Sequence, residues 1–349
     1  MGWVTRQYSK TQVDRAGKQI GRGEGSTREL SEARDKVSNF RSSHAYPLFA
    51  VTVYVRRHAL AVNLDAVVAR RMKRLPTIID KLERHPNMNV TTMHDLGGCR
   101  VVFPDVTNID ELAERLRNAP RTMNAILREY DYLREPQNTG YRGVHLVYEY
   151  RASKGAYVGS KVEVQIRSDL QHAWATAVET MDLFGRTRLK YGEGDPLLRR
   201  YFLLVSSLMA VQEGLPQPTA AQGDAADLRH ELSQLESQLG IAQRLAGYEA
   251  FVRRFGSVRD RRSTFILELN RDTAVLTVTR LENLRDAEAR LAAIEAQGDE
   301  TIDAVLVSAQ KVSQLQSAYP NYFANTTAFR QFLSDQMFEG EIITADALS

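Results

Sequence analysis

The sequence predicts an α+β fold, with a helical linker and a small C-terminal α/β unit after the main body. Three observations carry this. Residues 144–150 and 161–167 alternate apolar and polar at period two, as half-buried strands do. Helical runs at 108–119 and 169–183 flank them. Beyond Gly214-Leu215-Pro216-Gln217-Pro218, a leucine-spaced segment and a second group of strands follow.

In chain order, residues 1–45 are polar and helix-prone, and Ser26-Thr27-Arg28-Glu29 has the form of a capped start to a helix reaching about Phe40. The pattern at 50–55 fits a strand or a helix and does not decide between them. Residues 65–84 read as helical, with Pro76 at a turn or kink. Cys99-Arg100-Val101-Val102-Phe103 is a short strand after a Gly-Gly turn, and 108–119 an amphipathic helix. The runs 144–150 and 161–167 pair as a hairpin with Ser153-Lys154-Gly155 in its loop; helices follow at 169–183 and 197–211. Leu228, Leu232, Leu235, Leu239, Ala242 and Leu245 form a short seam that suits packing on its own chain, with a dimer zipper as the alternative. Further on, 265–269 and 274–278 flank the turn Asn270-Arg271-Asp272-Thr273, a helix runs to about Ala296, 302–307 is a buried strand, and another helix begins near Gln310. The expected organisation is an N-terminal helical segment at 1–45, a main domain at 46–215, a linker with an amphipathic helix at 216–262, and a small α/β domain of unknown role at 263–349.

With 349 residues, 43% hydrophobic and 26% charged, the chain has ample material for a globular core. A net charge of +3 does not call for nucleic acid, but Arg56, Arg57, Arg70, Arg71, Lys73, Arg74, Lys81 and Arg84, against Asp65, Asp80 and Glu83, suit an anionic ligand, with a solvated helix face as the alternative. Cys99 is the single cysteine, which excludes a disulfide framework and a CxxC metal site and points to a reducing cytoplasm. The N-terminus lacks an apolar signal core and no apolar stretch reaches the ~20 residues of a bilayer span, so no membrane association is expected.

The chemistry sits between Arg71 and Arg167. Mg²⁺ takes oxygen ligands and binds through one or two carboxylates plus substrate phosphates. Asp95, just before a strand, and Glu163, within one, can meet one such ion if their strands are neighbours. Arg71, Lys73, Lys81 and Arg100 can neutralise phosphates, although each alone also reads as a surface ion pair. Gly140-Tyr141-Arg142-Gly143 presents an aromatic ring on a turn, suited to stacking on a base. His145 falls on the strand face opposite Arg142, where a structural histidine is the commoner reading. The sequence contains no Walker A, GxGxxG or HExxH motif, and His94-Asp95 lacks the following Glu-Asp of a metal phosphohydrolase. Cys99 reads as a buried structural thiol.

Four blocks together resemble the synthetase domain of the RelA/SpoT family, makers of the alarmone (p)ppGpp. Arg71-Met72-Lys73 with Lys81 resembles its Arg-x-Lys…Lys segment, and Asp95-Leu96-Gly97-Gly98-Cys99-Arg100 its Asp-x-x-Gly-x-Arg. Gly140-Tyr141-Arg142-Gly143-Val144-His145 is similar to Gly-Tyr-(Arg/Gln)-x-x-His, and Glu163-Val164-Gln165-Ile166-Arg167 to Glu-(Ile/Val)-Gln-(Ile/Leu)-Arg. The resemblance spans about residues 40–215. It implies a nucleotidyltransferase-like, mixed five-stranded sheet flanked by helices, and transfer of pyrophosphate from ATP to the 3′-hydroxyl of GDP or GTP with release of AMP. It further implies that Arg71 and Arg100 sandwich adenine, and that Lys73 and Lys81 hold the ATP phosphates. By the same resemblance Asp95 and Glu163 would bind Mg²⁺, Glu163 helping to activate the acceptor hydroxyl, and Tyr141 would stack on guanine, with Arg142, His145, Gln165 and Arg167 around the acceptor. Gln137 stands where family members often carry Lys, which leaves the acceptor open between GDP and GTP. Two alternatives are a toxic relative, making adenosine-type alarmones or modifying the tRNA 3′ end, and a non-catalytic nucleotide sensor. No hydrolase domain is seen ahead of the synthetase blocks, so a stand-alone synthetase is expected; a homo-oligomer, tRNA and an antitoxin are the partners left open.

Overall fold

The computed structural model describes residues 3–346 apart from 121–123, 153–154, 186, 252, 256–262, 271, 274, 282–283, 298, 300 and 310–319. Ser153 and Lys154 of the expected hairpin loop, Arg271 of the expected turn, part of the expected linker and the helix start expected near Gln310 lie outside the described residues.

Helices α1 (Lys10–Arg22) and α2 (Thr27–Ser42) start at reciprocal caps. The Gln12 amide N–H donates to Ser9 Oγ at 3.3 Å while Gln12 Oε1 accepts from the Ser9 N–H at 2.9 Å. Ser26 and Glu29 repeat the arrangement, as the sequence predicts. Residues 50–55 resolve as helix: they lie in α3 (Ala45–Val62), whose Val51, Val55 and Ala59 recur every four residues along one buried stripe.

The helical reading of 65–84 is corrected. Residues Val67–Met72 form strand β1, and α4 (Leu75–Arg84) begins only afterwards, with Pro76 in its first turn where the missing N–H costs no bond. Neighbours on both sides supply β1 with ladder partners, and that tertiary pairing outweighs the local helical pattern. The chain continues through β2 (Gly97–Phe103), α5 (Thr107–Asn118), β3 (Asn124–Asp131), β4 (Val144–Tyr150), β5 (Lys161–Ser168), α6 (Asp169–Phe184) and α7 (Pro196–Gln212). Then come α8 (Ala225–Leu239), α9 (Ile241–Phe251), β6 (Arg253–Phe255), β7 (Ser263–Asn270), β8 (Val275–Leu281), α10 (Leu284–Ala296), β9 (Ile302–Ala309) and α11 (Thr327–Asp346). Strand β3 has no counterpart in the sequence reading.

All nine described strands join one mixed sheet in the order β3-β4-β5-β2-β1-β9-β7-β8-β6. The pairs β2/β5 and β6/β8 are parallel and the others antiparallel. The first five strands match the expected five-stranded sheet. The strands of the expected C-terminal unit extend that sheet: β9 pairs with β1 through Arg70↔Ser308 and Arg71↔Val307.

One face of β2, β4 and β5 packs its Cys99, Val101, Phe103, Leu146, Tyr148, Val162, Val164 and Ile166 against α3 and α5. The α1–α2 hairpin buries Val13, Ile20, Val37 and Phe40 with Ile78 and Leu82 of α4 and with Val90 and Leu96. Ile78 and Leu82 are fully buried, each contributing about 1.5–3 kcal/mol, so the hairpin braces α4 and the loop before β2. Leu228, Leu232, Leu235 and Leu245 pack with α6 and α7 into a helical core of their own chain, as the seam suggested.

His44, at the N-terminus of α3, is 2% exposed, and its Nδ1–H donates to the Phe40 carbonyl at 2.9 Å. Burial, with smaller contributions from the Arg6 and Lys161 charges, lowers its pKa from 6.5 to about 4. Between these values the unfolded chain binds the proton and the folded chain does not. This contribution to stability is therefore complete above about pH 6.5 and lost as pH falls toward 4, at up to about 1.4 kcal/mol per pH unit. Urea titrations between pH 4.5 and 7.5 should show that slope, and His44→Asn, which keeps a donor for Phe40, should flatten it; an equal slope in both proteins would assign the acid sensitivity elsewhere.

Candidate active site

The sheet register builds the site. Arg71 on β1 pairs with Gly98 on β2, which pairs with Glu163 on β5. The next row of the same face runs Ala69, Arg100, Gln165, His145 across four strands. Gly98 thus separates Arg71 from Glu163. A Cβ there would approach only the Arg71 carbonyl oxygen, at 3.9 Å, so the backbone leaves an open notch between the cation and the carboxylate.

Asp95 enters beside this notch from the loop before β2. The Lys73 N–H donates to the Leu96 carbonyl at 2.9 Å, tying that loop to the end of β1. Lys73 Nζ donates to Asp95 Oδ2 at 2.6 Å, and Lys81 Nζ, one turn from the end of α4, lies 3.7 Å from Oδ1. Burial would raise the Asp95 carboxyl; the Lys73 and Lys81 ammoniums outweigh it and hold the pKa at about 2. Asp95 Oδ1 is buried and accepts no hydrogen bond among the described residues.

On the other side a relay of polar groups ends at Glu163. Arg167 donates to Tyr141 Oη from Nη2 at 2.6 Å and Nε at 3.2 Å, with its guanidinium 4.8 Å from the ring centroid. Tyr141 Oη lies 2.5 Å from His145 Nε2, and His145 Nδ1 2.9 Å from Glu163 Oε1. A carboxylate only accepts, so Nδ1 carries the proton; in the neutral ring Nε2 then accepts from the tyrosine hydroxyl. Gln165 Nε2 donates to Glu163 Oε2 at 2.7 Å, and Gln165 Oε1 accepts from Arg167 at 3.2 Å. Burial acts to raise the Glu163 pKa, but the His145 contacts win and lower it, while the charge of nearby Asp95 opposes them. Arg167 Nη1 is buried without a hydrogen-bond partner among the described residues.

The turn that presents Tyr141 depends on two glycines. Gly140 has φ +87° and Gly143 φ +146°. A Cβ on Gly143 would also press to 3.2 Å from Arg167 Cγ and the Ile166 carbonyl.

Ten of the eleven expected site residues thus share this face or its rim. Arg142 does not: it is 3% exposed, and its guanidinium donates to the carbonyls of Pro216 at 2.7 Å and Leu133 at 3.2 Å. Alternation past Tyr141 turns it away from His145, and it ties the start of the linker to the sheet. Three further residues stand at the site. Glu179, midway along α6, pairs with Lys190 at 3.2 Å. Burial acts to raise the Glu179 pKa, and Lys190 with Arg100, Arg71 and Arg167 overcomes it and lowers it. Tyr132 meets Tyr141 and His145 edge-on, at 5.8 and 5.3 Å between centroids. A buried-looking helical run, Ala173 to Val178, leading into Glu179 was the available signal for that acid; nothing local marked Tyr132 or Lys190. Burial pushes the Cys99 thiol up to about 12, in keeping with the inert thiol expected.

Residues 70–182 match the model described as the region found in RelA / SpoT proteins. The chain carries a RelA/SpoT region. It contains every residue of the four blocks from Arg71 to Arg167, and Glu179. Among curated proteins, GTP pyrophosphokinase YjbM of Bacillus subtilis is 31% identical over 120 residues, 33% of this chain and 55% of that protein. An uncharacterised protein of Mycobacterium tuberculosis is 30% identical over 130 residues, 37% of this chain and 44% of that protein. GTP pyrophosphokinase YwaC of B. subtilis is 29% identical over 115 residues, 30% and 52% of the two chains. The chain therefore spans about half the length of the curated relatives it matches. Among solved structures, small alarmone synthetase 1 from B. subtilis bound to its product pppGpp aligns with a TM-score of 0.43 at 20% identity, covering 57% of this chain and 96% of that one. No helix among the described residues is long and apolar enough to cross a membrane.

Proposed function

We propose that the chain transfers the pyrophosphoryl group of ATP to the 3′-hydroxyl of GDP or GTP and releases AMP. The observation that carries this reading is the notch at Gly98, with Arg71, Lys73, Lys81 and Arg100 on its donor side and Tyr141, His145, Glu163, Gln165 and Arg167 on its acceptor side. The matches to two GTP pyrophosphokinases support it.

In this reading Arg71 and Arg100 stack on adenine, as planar guanidiniums do, and Lys73 and Lys81 neutralise the ATP phosphates. Tyr141 stacks on guanine, and Arg167, with an N–H still unpartnered, receives acceptor phosphate. Glu163 keeps lone pairs beyond those used by His145 and Gln165, and with them accepts the 3′-hydroxyl proton. The bond from the acceptor O3′ to the β-phosphorus forms as the bond from that phosphorus to the α-bridging oxygen breaks, and AMP leaves with the bridging oxygen. A carboxylate is a weak base. The loose transition state of phosphoryl transfer needs little prior deprotonation, so positioning and charge dispersal dominate.

The residues fit a magnesium ion. The donors are all oxygen, and Asp95 Oδ1 is buried and accepts no hydrogen bond among the described residues. Asp95 and Glu163 would hold it together with substrate phosphates, and bound Mg²⁺ would neutralise charge on the transferring group. Gln137 is an amide where a lysine would add charge beside the acceptor, which favours weaker contacts to its 5′-phosphates. Incubation with labelled ATP and Mg²⁺ against GDP, GTP, AMP and tRNA, with separation of products, tests the proposal. Label on a guanosine nucleotide with stoichiometric AMP is the expected result; label confined to tRNA or to AMP, or no transfer, overturns it.

A further inference from the structure

The segment from Arg70 to Leu75 carries two of the donor-side cations and leads into the helix bearing a third, and the C-terminal half of the chain grips it at three points. Strand β9 pairs with β1 at Arg70 and Arg71, so β1 is flanked on both sides. Asp303, at the start of β9, pairs with Arg74. Glu295, near the end of α10, accepts from the Leu75 N–H at Oε1 (3.1 Å) and pairs through Oε2 with Arg41 Nη1 of α2 at 2.6 Å. The side chains of Glu295 and Arg41 are each 6% exposed.

The Leu75 contact is the capping bond that α4 otherwise lacks. Its N-cap residue is Arg74, whose side chain makes no cap hydrogen bond, and the first turn contains no acid. Glu295 supplies from a distant part of the chain both the acceptor and the negative charge that a helix N-terminus favours. By contrast, no hydrogen bond or ion pair among the described residues joins β6–β9 or α10 to Tyr141, His145, Glu163, Gln165 or Arg167. The polar contacts of β6–β9 and α10 with the site therefore fall on its donor half.

We propose that Glu295 is a positioning residue for the donor subsite: by capping α4 and holding Arg41 it fixes the start of the helix, and with it Lys73 and Lys81 about Asp95. The C-terminal unit is in this sense a completing part of a nucleoside-triphosphate site formed mainly by the RelA/SpoT region. This inference rests on the donor reading proposed above.

The test uses the full chain and its Glu295→Gln and Asp303→Asn variants, each checked for a cooperative melt. Affinity is measured for a non-hydrolysable ATP analogue with Mg²⁺ and, separately, for GDP; amide hydrogen exchange is followed over residues 75–84. Glu295→Gln should weaken the ATP analogue about tenfold, leave GDP within about twofold, and speed exchange at the first turn of α4. Asp303→Asn should shift the analogue in the same direction by less. Equal weakening of both ligands would show a general loss of structure, and unchanged analogue affinity would show that the cap does not position the cations; either overturns the inference while the proposed function stands. Wild-type protein that binds no ATP analogue overturns both together.

Discussion

Glu163→Gln is expected to lower kcat for pyrophosphoryl transfer by about three orders of magnitude while leaving the melting temperature nearly unchanged. Glu163 stands where the two halves of the site meet, with Arg71 across the Gly98 notch on one side and the Tyr141–His145 relay on the other. Glutamine has almost the same shape, and its carbonyl still accepts from His145 Nδ1. Its NH₂ would face the Gln165 NH₂, so the Gln165 amide must flip and give up its 3.2 Å bond from Arg167. The variant removes the charge that attracts Mg²⁺ and the lone pairs that take the hydroxyl proton, with little change in packing. Steady-state AMP release at saturating ATP and acceptor is the measurement, and a variant retaining more than about a tenth of wild-type kcat would remove Glu163 from the chemistry.

Arg41→Ala is expected to destabilise the fold by about 3–5 kcal/mol, because it leaves the almost fully buried Glu295 carboxyl without its ion-pair partner. Glu288 adds to the effect. Burial already raises its pKa to about 7, and Arg41 is the charge that opposes that rise. Chemical denaturation at pH 7.5 would read the loss. The double variant Arg41→Met with Glu295→Leu should recover most of it, since replacing both members of a buried pair by apolar groups removes the uncompensated charge. A loss under about 1 kcal/mol in Arg41→Ala would mean that water reaches the pair and screens it.

Local patterns made much of the site legible. Period-two alternation placed Glu163, Gln165 and Arg167 on one face and Val162, Val164 and Ile166 on the other, and the structure keeps both faces. The same rule set His145 opposite Arg142, but it could not say which of the two faced the site; Arg142 is the one spent on the Pro216 and Leu133 carbonyls. Strand β1 was misread because its six residues carry no alternation of their own: Arg70 and Arg71 fall on opposite faces, and only partners on both sides make the segment a strand. Glu179 and Lys190 were missed because they reach the site from a covering helix and the turn after it, far in sequence from the strand motifs.

By itself the sequence determined the α+β class, the capped helix start at Ser26, the four blocks and the pairing of two carboxylates with a set of cations. These follow from short-range rules: the 3.6- and 2-residue periods, cap chemistry, and residue types at fixed spacing. Only the tertiary structure decided that Arg71, Gly98 and Glu163 form one row with an open notch, that β9 flanks β1, and that Glu295 caps α4 across 220 residues of sequence. Strand order and register are settled by which distant backbone groups satisfy one another and which faces can be buried together. A local pattern records the faces of a strand and leaves its neighbours undetermined.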